Sequence, residues 1–148
     1  MHSDSKSVKS SVLEYGVPEP GKTASLMYEK LLYHADAWDV SLDLEAGVPD
    51  LVVLDARSAE AYAKGHIPGA ISLPHRKMDE EGVAHLDRGK VYVVYCDGIG
   101  CNGSTKGTYK LAKLGFRAKE LVGGLDWWKR DGHPVASGAE PGRLRPRA

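Results

Sequence analysis

Apolar residues gather in four short runs through the middle of the chain, at positions 51–54, 70–73, 91–95 and, more weakly, 119–122. Continuous apolar runs of this length are typical of strands that are buried on both faces of a parallel sheet. Helical patterns fill the intervening stretches 59–64, 104–114 and 125–131, and an amphipathic helix is predicted earlier, at 23–37. The pattern therefore predicts a small doubly wound α/β domain, with a central parallel sheet of about five strands and helices on both faces.

The two ends of the chain differ in composition from this middle part. The first eleven residues are rich in Ser and Lys, and positions 137–148 are rich in Gly, Pro and Arg. We therefore predict a flexible segment at 1–20, one folded domain at 21–136 and a disordered tail at 137–148. A chain of 148 residues, 42% of them hydrophobic, can bury one independent core.

Charge and composition exclude several kinds of partner. Twenty basic residues balance twenty acidic ones, so no overall field attracts the protein to nucleic acid or to an anionic membrane. No apolar run is long enough to cross a bilayer, and the N-terminus lacks the apolar core of a secretory signal, so we expect a cytoplasmic protein. The histidines are scattered and the cysteines are only two, so we expect neither a metal site nor a cofactor.

One loop carries the candidate chemistry. Cys96 directly follows the apolar run 91–95, and Ser104 is a good N-cap for the next helix. In sheets of this kind ligands bind beyond the carboxyl ends of the strands. A helix N-terminus and a glycine-rich loop present N–H groups that lower a thiol pKa and bind anions. The sequence therefore predicts Cys96 as a nucleophilic thiolate, with a substrate-binding loop backbone formed by Asp97, Gly98, Ile99, Gly100, Cys101, Asn102, Gly103 and Ser104.

The second cysteine allows two interpretations. Cys101 lies five positions after Cys96 in the same loop. It can act as a resolving thiol that forms a disulfide or receives sulfur, or it can be a small residue at the edge of the loop. The sequence does not choose between them.

Three motifs resemble those of rhodanese domains, in the right order and spacing over about residues 48–135. They are Asp55-Ala56-Arg57-Ser58 continued by Gly65-His66-Ile67-Pro68-Gly69-Ala70, the cysteine loop, and Gly123-Gly124-Leu125-Asp126-Trp127-Trp128. The resemblance implies a sulfurtransferase in which Cys96 takes sulfane sulfur from a donor as a persulfide and passes it to an acceptor. It also implies that Asp55, Arg57 and His66 mainly hold the fold together.

The resemblance leaves the substrates open. Thiosulfate, a mercapto acid or a protein persulfide could donate, and cyanide or a thiol could accept. Family members that use thiosulfate hold it with cationic side chains in and near the loop, and this loop contains no Lys or Arg, which argues against thiosulfate. One alternative function is a thiol redox sensor that uses Cys96 and Cys101. A phosphatase or arsenate reductase of the same fold is disfavoured, because it needs an arginine where this chain has Asn102.

Overall fold

The structure of the protein is a computed structural model that describes residues 8–146. The predicted flexible ends lie partly outside this range, at 1–7 and 147–148. The described residues fall into two compact units, divided between Lys30 and Leu31. The first unit contains a turn closed by a hydrogen bond from the Gly16 N–H to the Leu13 carbonyl, followed by most of helix α1 (Pro20–Tyr33). Helix α1 buries no side chain, and it begins and ends earlier than the predicted 23–37.

The second unit is built on a parallel sheet of five strands, as predicted. These are β1 (His34–Ala35), β2 (Leu51–Asp55), β3 (Ile71–Ser72), β4 (Val91–Tyr95) and β5 (Arg117–Leu121). Their order across the sheet is β1-β5-β4-β2-β3, and every pairing is parallel. Strand β4 is central, so the residue that follows it emerges in the middle of the carboxyl edge of the sheet.

In the described part of this unit, three helices and a short 3-10 turn connect the strands, and a further helix follows β5. They are α2 (Ala37–Ala46), α3 (Ala59–Lys64), the turn His75–Lys77, α4 (Gly103–Lys113) and α5 (Gly124–Arg130). Helices α3, α4 and α5 lie within one residue of their predicted bounds. Helix α2 was not predicted, although Asp36 caps its first turn through the Asp39 N–H and Gly47 ends it in the left-handed conformation.

The core lies on both faces of the sheet, because side chains alternate along each strand. On β4, Val93 and Tyr95 face one layer, while Tyr92 and Val94 face the other. The first layer packs against α2, α3 and α5 through residues that include Val40, Tyr62, Leu125 and Trp128. The second packs against α4 and the segment after β3 through residues that include Leu73, Met78, Leu111 and Phe116. The doubly wound α/β prediction is thus confirmed.

The C-terminal segment differs from the predicted disordered tail. Leu144 is only 5% exposed and belongs to the first core layer. The Gly138 N–H donates to the Ala63 carbonyl over 2.7 Å, and the Gly69 N–H donates to the Pro141 carbonyl over 2.8 Å. The Gly, Pro and Arg content of 137–148 suggested disorder, but one apolar side chain and these hydrogen bonds fix positions 138–144 on the domain.

Among the described residues, no helix combines the length and the apolar character that a membrane-spanning helix requires.

Candidate active site

Cys96 lies where the sequence predicts, at the carboxyl end of the central strand. It is only 4% exposed, and the loop 97–102 leads from it to the first turn of α4. Its carbonyl accepts the Leu125 N–H over 3.0 Å, and the Asp97 carbonyl accepts the Asp126 N–H over 2.7 Å. These two bonds tie the start of the loop to the N-terminus of α5, and so fix the direction in which the Cys96 side chain points.

Cys96 and Cys101 are joined in a disulfide in this structure. Their Cα atoms lie 6.3 Å apart, within the span that a disulfide bridges. Cys101 is partly exposed, whereas Cys96 is buried. The Gly103 N–H, at the first residue of α4, donates to the Cys101 Sγ over 3.4 Å. The loop therefore brings both sulfur atoms to the N-terminus of one helix.

Gly103 makes room for these sulfur atoms. A Cβ at this position would lie 3.0 Å from the Cys96 Sγ and 3.4 Å from the Cys101 Sγ. It would also lie 3.3 Å from the Cδ2 atom of His75. The absence of a side chain at the start of α4 is what lets the sulfur atoms and the His75 ring meet at one point.

The predicted N-cap of α4 is wrong. Asn102 is the N-cap residue, and its side chain makes no capping hydrogen bond. Ser104 lies inside the first turn, where its hydroxyl donates to the Glu120 Oε2 over 2.8 Å, and the Thr105 hydroxyl donates to the same oxygen over 2.6 Å. The Ser104 hydroxyl therefore bonds to a carboxylate on β5 and does not cap the helix.

Asp55 and Arg57, two of the three residues that the family resemblance assigns to holding the fold together, form a buried ion pair. The Arg57 Nη2 donates to the Asp55 Oδ2 over 2.7 Å and to the Gly65 carbonyl over 2.6 Å. Burial alone would lower the pKa of Arg57, but its hydrogen bond to Asp55 and the charge of that carboxylate raise it above the usual range. The Tyr95 hydroxyl donates to the same Oδ2 over 2.7 Å, and burial and the Asp55 charge raise its pKa.

Arg57 also contacts the cysteine loop, residues 97–102. Its Nη1 donates to the Asp97 Oδ1 over 3.2 Å, although the Asp97 side chain is 72% exposed. The sequence resemblance assigned Arg57 a role in holding the fold together, and its bonds to Asp55 and Gly65 fit that role. Its bond to Asp97 also places a fixed cation beside the cysteine loop.

A cavity of about 530 Å³ opens over the two cysteines. Its lining includes Cys96, Asp97 and Cys101. It also includes four residues with basic side chains, namely Arg57, His75, Arg76 and Lys77. The cations that the loop itself lacks therefore come from the segments after β2 and β3. The sequence analysis missed His75, Arg76 and Lys77. They follow the predicted strand at 70–73, and residues that follow parallel strands meet at the same edge of the sheet.

His75 lies at the wall of this cavity in a positively charged setting. Burial, followed by the charges of Lys110, Lys106 and Arg76, lowers its pKa below the ordinary value of 6.5. The Lys110 Nζ donates to the His75 carbonyl over 2.9 Å. Within the described residues the buried Nδ1 of His75 has no hydrogen-bond partner. A neutral imidazole thus borders the sulfur atoms at neutral pH.

His66, the third signature residue, is not among the residues that line the cavity. Its ring is fully buried and stacks on Tyr62 with 3.7 Å between the ring centroids. Its Nδ1 lies 2.8 Å from the Tyr62 carbonyl oxygen, and its Nε2 lies 3.0 Å from that of Pro141. His66 therefore connects α3 to the C-terminal segment.

One group of side chains could be considered for a metal ion. The Sγ atoms of Cys96 and Cys101 and a carboxylate oxygen of Asp97 lie within 4.8 Å of one another. Metal ions bind cysteine as the thiolate, and in the disulfide neither sulfur is a thiolate. The group as it stands does not fit a metal ion.

Comparisons with known proteins identify the family of this chain. The family model of the rhodanese-like domain matches residues 39–131. The chain is similar to the thiosulfate sulfurtransferase GlpE of Coxiella burnetii, with 31% identity over 113 residues that cover 75% of this chain and 95% of GlpE. It also resembles an HTH-type transcriptional regulator of Mycobacterium tuberculosis, with 34% identity over 66% of this chain, but it spans only 42% of that regulator. Among solved structures, a Bacillus halodurans protein superposes with a TM-score of 0.78 and 40% identity, covering 82% of this chain and 88% of that one.

Proposed function

Because this chain belongs to the rhodanese-like domain family, we propose that it is a sulfurtransferase in which Cys96 carries sulfane sulfur as a persulfide. One observation carries the proposal: a buried cysteine ends the central strand at a helix N-terminus, beneath a cavity with cationic side chains. A thiolate, a persulfide and an anionic sulfur donor are all stabilised in such surroundings. Sulfur uptake requires Cys96 as a free thiolate, so each turnover begins from the form in which the Cys96–Cys101 disulfide is reduced.

In the first half-reaction the Cys96 thiolate attacks the outer sulfur of the donor. With thiosulfate, a bond forms between the Cys96 Sγ and that sulfur, the bond between the two thiosulfate sulfurs breaks, and sulfite leaves with the electron pair. The first N–H groups of α4 have no acceptor within the helix, so they can stabilise negative charge on the persulfide and on the leaving group.

In the second half-reaction an acceptor attacks the outer sulfur of the persulfide. With cyanide, the new carbon–sulfur bond gives thiocyanate, and the Cys96 thiolate departs with the electron pair of the broken sulfur–sulfur bond. With a thiol, the product is a new persulfide. Neither half-reaction needs an external oxidant or a cofactor.

The basic side chains that line the cavity favour an anionic sulfur donor. Arg76 and Lys77 are exposed at its rim, while Arg57 is fixed beside Asp97 by hydrogen bonds. The absence of Lys and Arg from the loop argued against thiosulfate, but positive charge reaches the cysteine from other segments. Thiosulfate and mercapto acids are both anions that such side chains attract.

The test measures thiocyanate formation by reduced protein with cyanide and each of thiosulfate, mercaptopyruvate and glutathione persulfide. We expect turnover with at least one donor, and none with Cys96→Ser, whose hydroxyl is a far weaker nucleophile. Thermal unfolding of Cys96→Ser controls for its fold. Wild-type rates in that variant, or no turnover by wild type with any donor, would rule the proposal out.

A further inference from the structure

The Cys96–Cys101 disulfide shows that the Cys101 sulfur can reach the atom that would carry the persulfide. The contact is made within one loop, five residues apart, with a Cα separation of 6.3 Å. Both cysteines lie between the end of β4 and the start of α4. Gly103 leaves space for both sulfur atoms, since a Cβ there would lie 3.0 Å from one and 3.4 Å from the other.

This further proposal rests on the proposed sulfurtransferase function. We infer that Cys101 is a second catalytic thiol that discharges the Cys96 persulfide. Cys101 loses its thiol proton to solvent, and its thiolate attacks the Cys96 Sγ of the protonated persulfide. The Cys96–Cys101 bond forms, and the outer sulfur leaves as hydrosulfide with its own proton and the electron pair of the broken sulfur–sulfur bond. The sulfur–sulfur bond of the persulfide breaks as the disulfide bond forms, so the number of such bonds is unchanged. The sulfane sulfur is reduced, and the two cysteine sulfurs are oxidised. The enzyme thereby becomes a source of sulfide.

The surroundings of Cys101 favour this attack. The thiolate is the attacking species in exchange at sulfur, and the Gly103 N–H at the start of α4 is directed at the Cys101 Sγ over 3.4 Å. Arg57 and Lys77 line the same cavity, where the hydrosulfide anion would leave. The attacking sulfur therefore accepts a hydrogen bond at a helix N-terminus, and the departing anion leaves into a cavity that cationic side chains line.

The disulfide must be reduced before the next cycle, and the unequal exposure of the two cysteine residues indicates how. Cys101 is partly exposed and Cys96 is 4% exposed, so an external thiolate reaches the Cys101 Sγ first. Attack there releases Cys96 as the thiolate, ready to accept sulfur again. A dithiol can then close its own disulfide and release Cys101, a step that is fast because it is intramolecular.

The co-substrate of this cycle is therefore a dithiol, which reduces the Cys96–Cys101 disulfide. The net reaction with thiosulfate converts thiosulfate and a dithiol into sulfite, hydrosulfide, a proton and the cyclic disulfide of the reductant. Atoms and charge balance in that sum.

The experiment is an anaerobic single turnover, so that oxygen cannot form the disulfide. Reduced wild type, Cys101→Ser and Cys96→Ser are each mixed with the donor that gives the most thiocyanate, without a reductant. Hydrosulfide is measured by trapping with an alkylating probe, and the protein is examined by intact mass spectrometry. We expect wild type to release one hydrosulfide per chain and to lose two hydrogens, while Cys101→Ser retains one added sulfur and releases no hydrosulfide.

The outcomes separate this inference from the proposed function. If wild type keeps the added sulfur and releases no hydrosulfide, yet still forms thiocyanate with cyanide, the second-thiol role is wrong and the sulfurtransferase stands. Equal hydrosulfide release by Cys101→Ser and wild type would also refute the role of Cys101. If neither protein takes up sulfur or forms thiocyanate, both proposals fail. The wild-type yields decide the matter even if Cys101→Ser does not fold.

Discussion

Arg76 and Lys77 line the cavity with exposed side chains, for which residues 8–146 offer no hydrogen bond or ion pair. They should therefore act on donor binding rather than on chemistry. Both are exposed, and exposed charge interactions contribute at most about 1 kcal/mol each. We expect Arg76→Ala with Lys77→Ala to raise the KM for thiosulfate about threefold to tenfold with little change in kcat. Lys129→Ala, which removes an exposed charge from α5, is the matched control and should leave both constants unchanged.

Salt should imitate the loss of these two side chains. The charges at the rim of the cavity are exposed, so ions screen them, and added salt should raise the wild-type KM for thiosulfate. The double variant should respond to salt less than wild type does. A KM that is independent of both the substitutions and the salt would contradict an electrostatic role for these residues.

His75 should make the stability of the domain depend on pH. Burial and the charges of Lys110, Lys106 and Arg76 lower its pKa, so the unfolded chain binds a proton more readily than the folded one. Its contribution to stability is thus complete above the ordinary pKa of 6.5 and is lost as the pH falls through that value towards the lowered one.

The measurement is urea unfolding of wild type and His75→Asn at several pH values. We expect the free energy of unfolding of wild type to fall more steeply than that of His75→Asn as the pH is lowered below 6.5. Parallel curves for wild type and His75→Asn would show that His75 does not titrate differently in the fold.

At the scale of elements, the approach of α5 to the cysteine loop depends on Gly124. Its φ is +58°, and a Cβ there would meet the Cys96 carbonyl oxygen and lie 2.9 Å from the Gly98 nitrogen. We expect Gly124→Ala to lower the free energy of unfolding by about 2–4 kcal/mol, through backbone strain and overpacking together. The substitution should also slow sulfur transfer, because the added methyl group displaces the backbone of Cys96.

Gly132→Ala is a matched control for this substitution. Gly132 has a φ of +81°, but a Cβ there would meet nothing within 4 Å. It should therefore show only the backbone cost, about 1–2 kcal/mol, and normal sulfur transfer. Equal destabilisation by the two substitutions, measured by urea unfolding, would show that the close approach of α5 to the loop contributes nothing.

The elements that the sequence predicts well are those with a strong local pattern. Strand β2 is apolar up to its last residue, Asp55, and strand β4 lacks charged residues, because both faces of these strands are covered by the core. Both strands lie within one residue of their predicted bounds. Strand β1 has only two residues, too short for any pattern, and its pairing with β5 depends on tertiary contacts. Helix α2 had the signals Asp36 and Gly47, which a search for caps would have found.

A local sequence pattern does not predict which residues line the cavity, nor which partner the Ser104 hydroxyl takes at the start of α4. Cys96 could be located from the strand that precedes it, because that strand fixes the edge of the sheet. Arg76 and Lys77 reach the cavity only because β3 lies beside β2, and this neighbourhood is a property of the sheet order. Ser104 turned to Glu120 for a similar reason, since β5 and α4 meet only in the folded chain.

At the scale of the whole molecule, the C-terminal segment closes the first core layer. Leu144 packs in that layer, and the segment before it bonds to the turn that holds His66 and Gly69. The same turn accepts Arg57 at the Gly65 carbonyl, and Arg57 in turn contacts Asp97 in the active loop. The turn 65–69 thus connects the C-terminal segment to the cavity, through hydrogen bonds to Pro141 on one side and to Arg57 on the other.

Leu144→Ala tests whether that segment is part of the domain. Removing a buried leucine side chain costs the hydrophobic transfer energy and leaves a cavity, so we expect the free energy of unfolding to fall by about 2 kcal/mol or more. Arg143→Ala, at the exposed neighbouring position, should change it by less than about 0.5 kcal/mol. Urea unfolding of both variants beside wild type makes the measurement. If Leu144→Ala matched Arg143→Ala, the leucine would not be packed in solution, and the composition of positions 137–148 would have been the better guide to the behaviour of the tail.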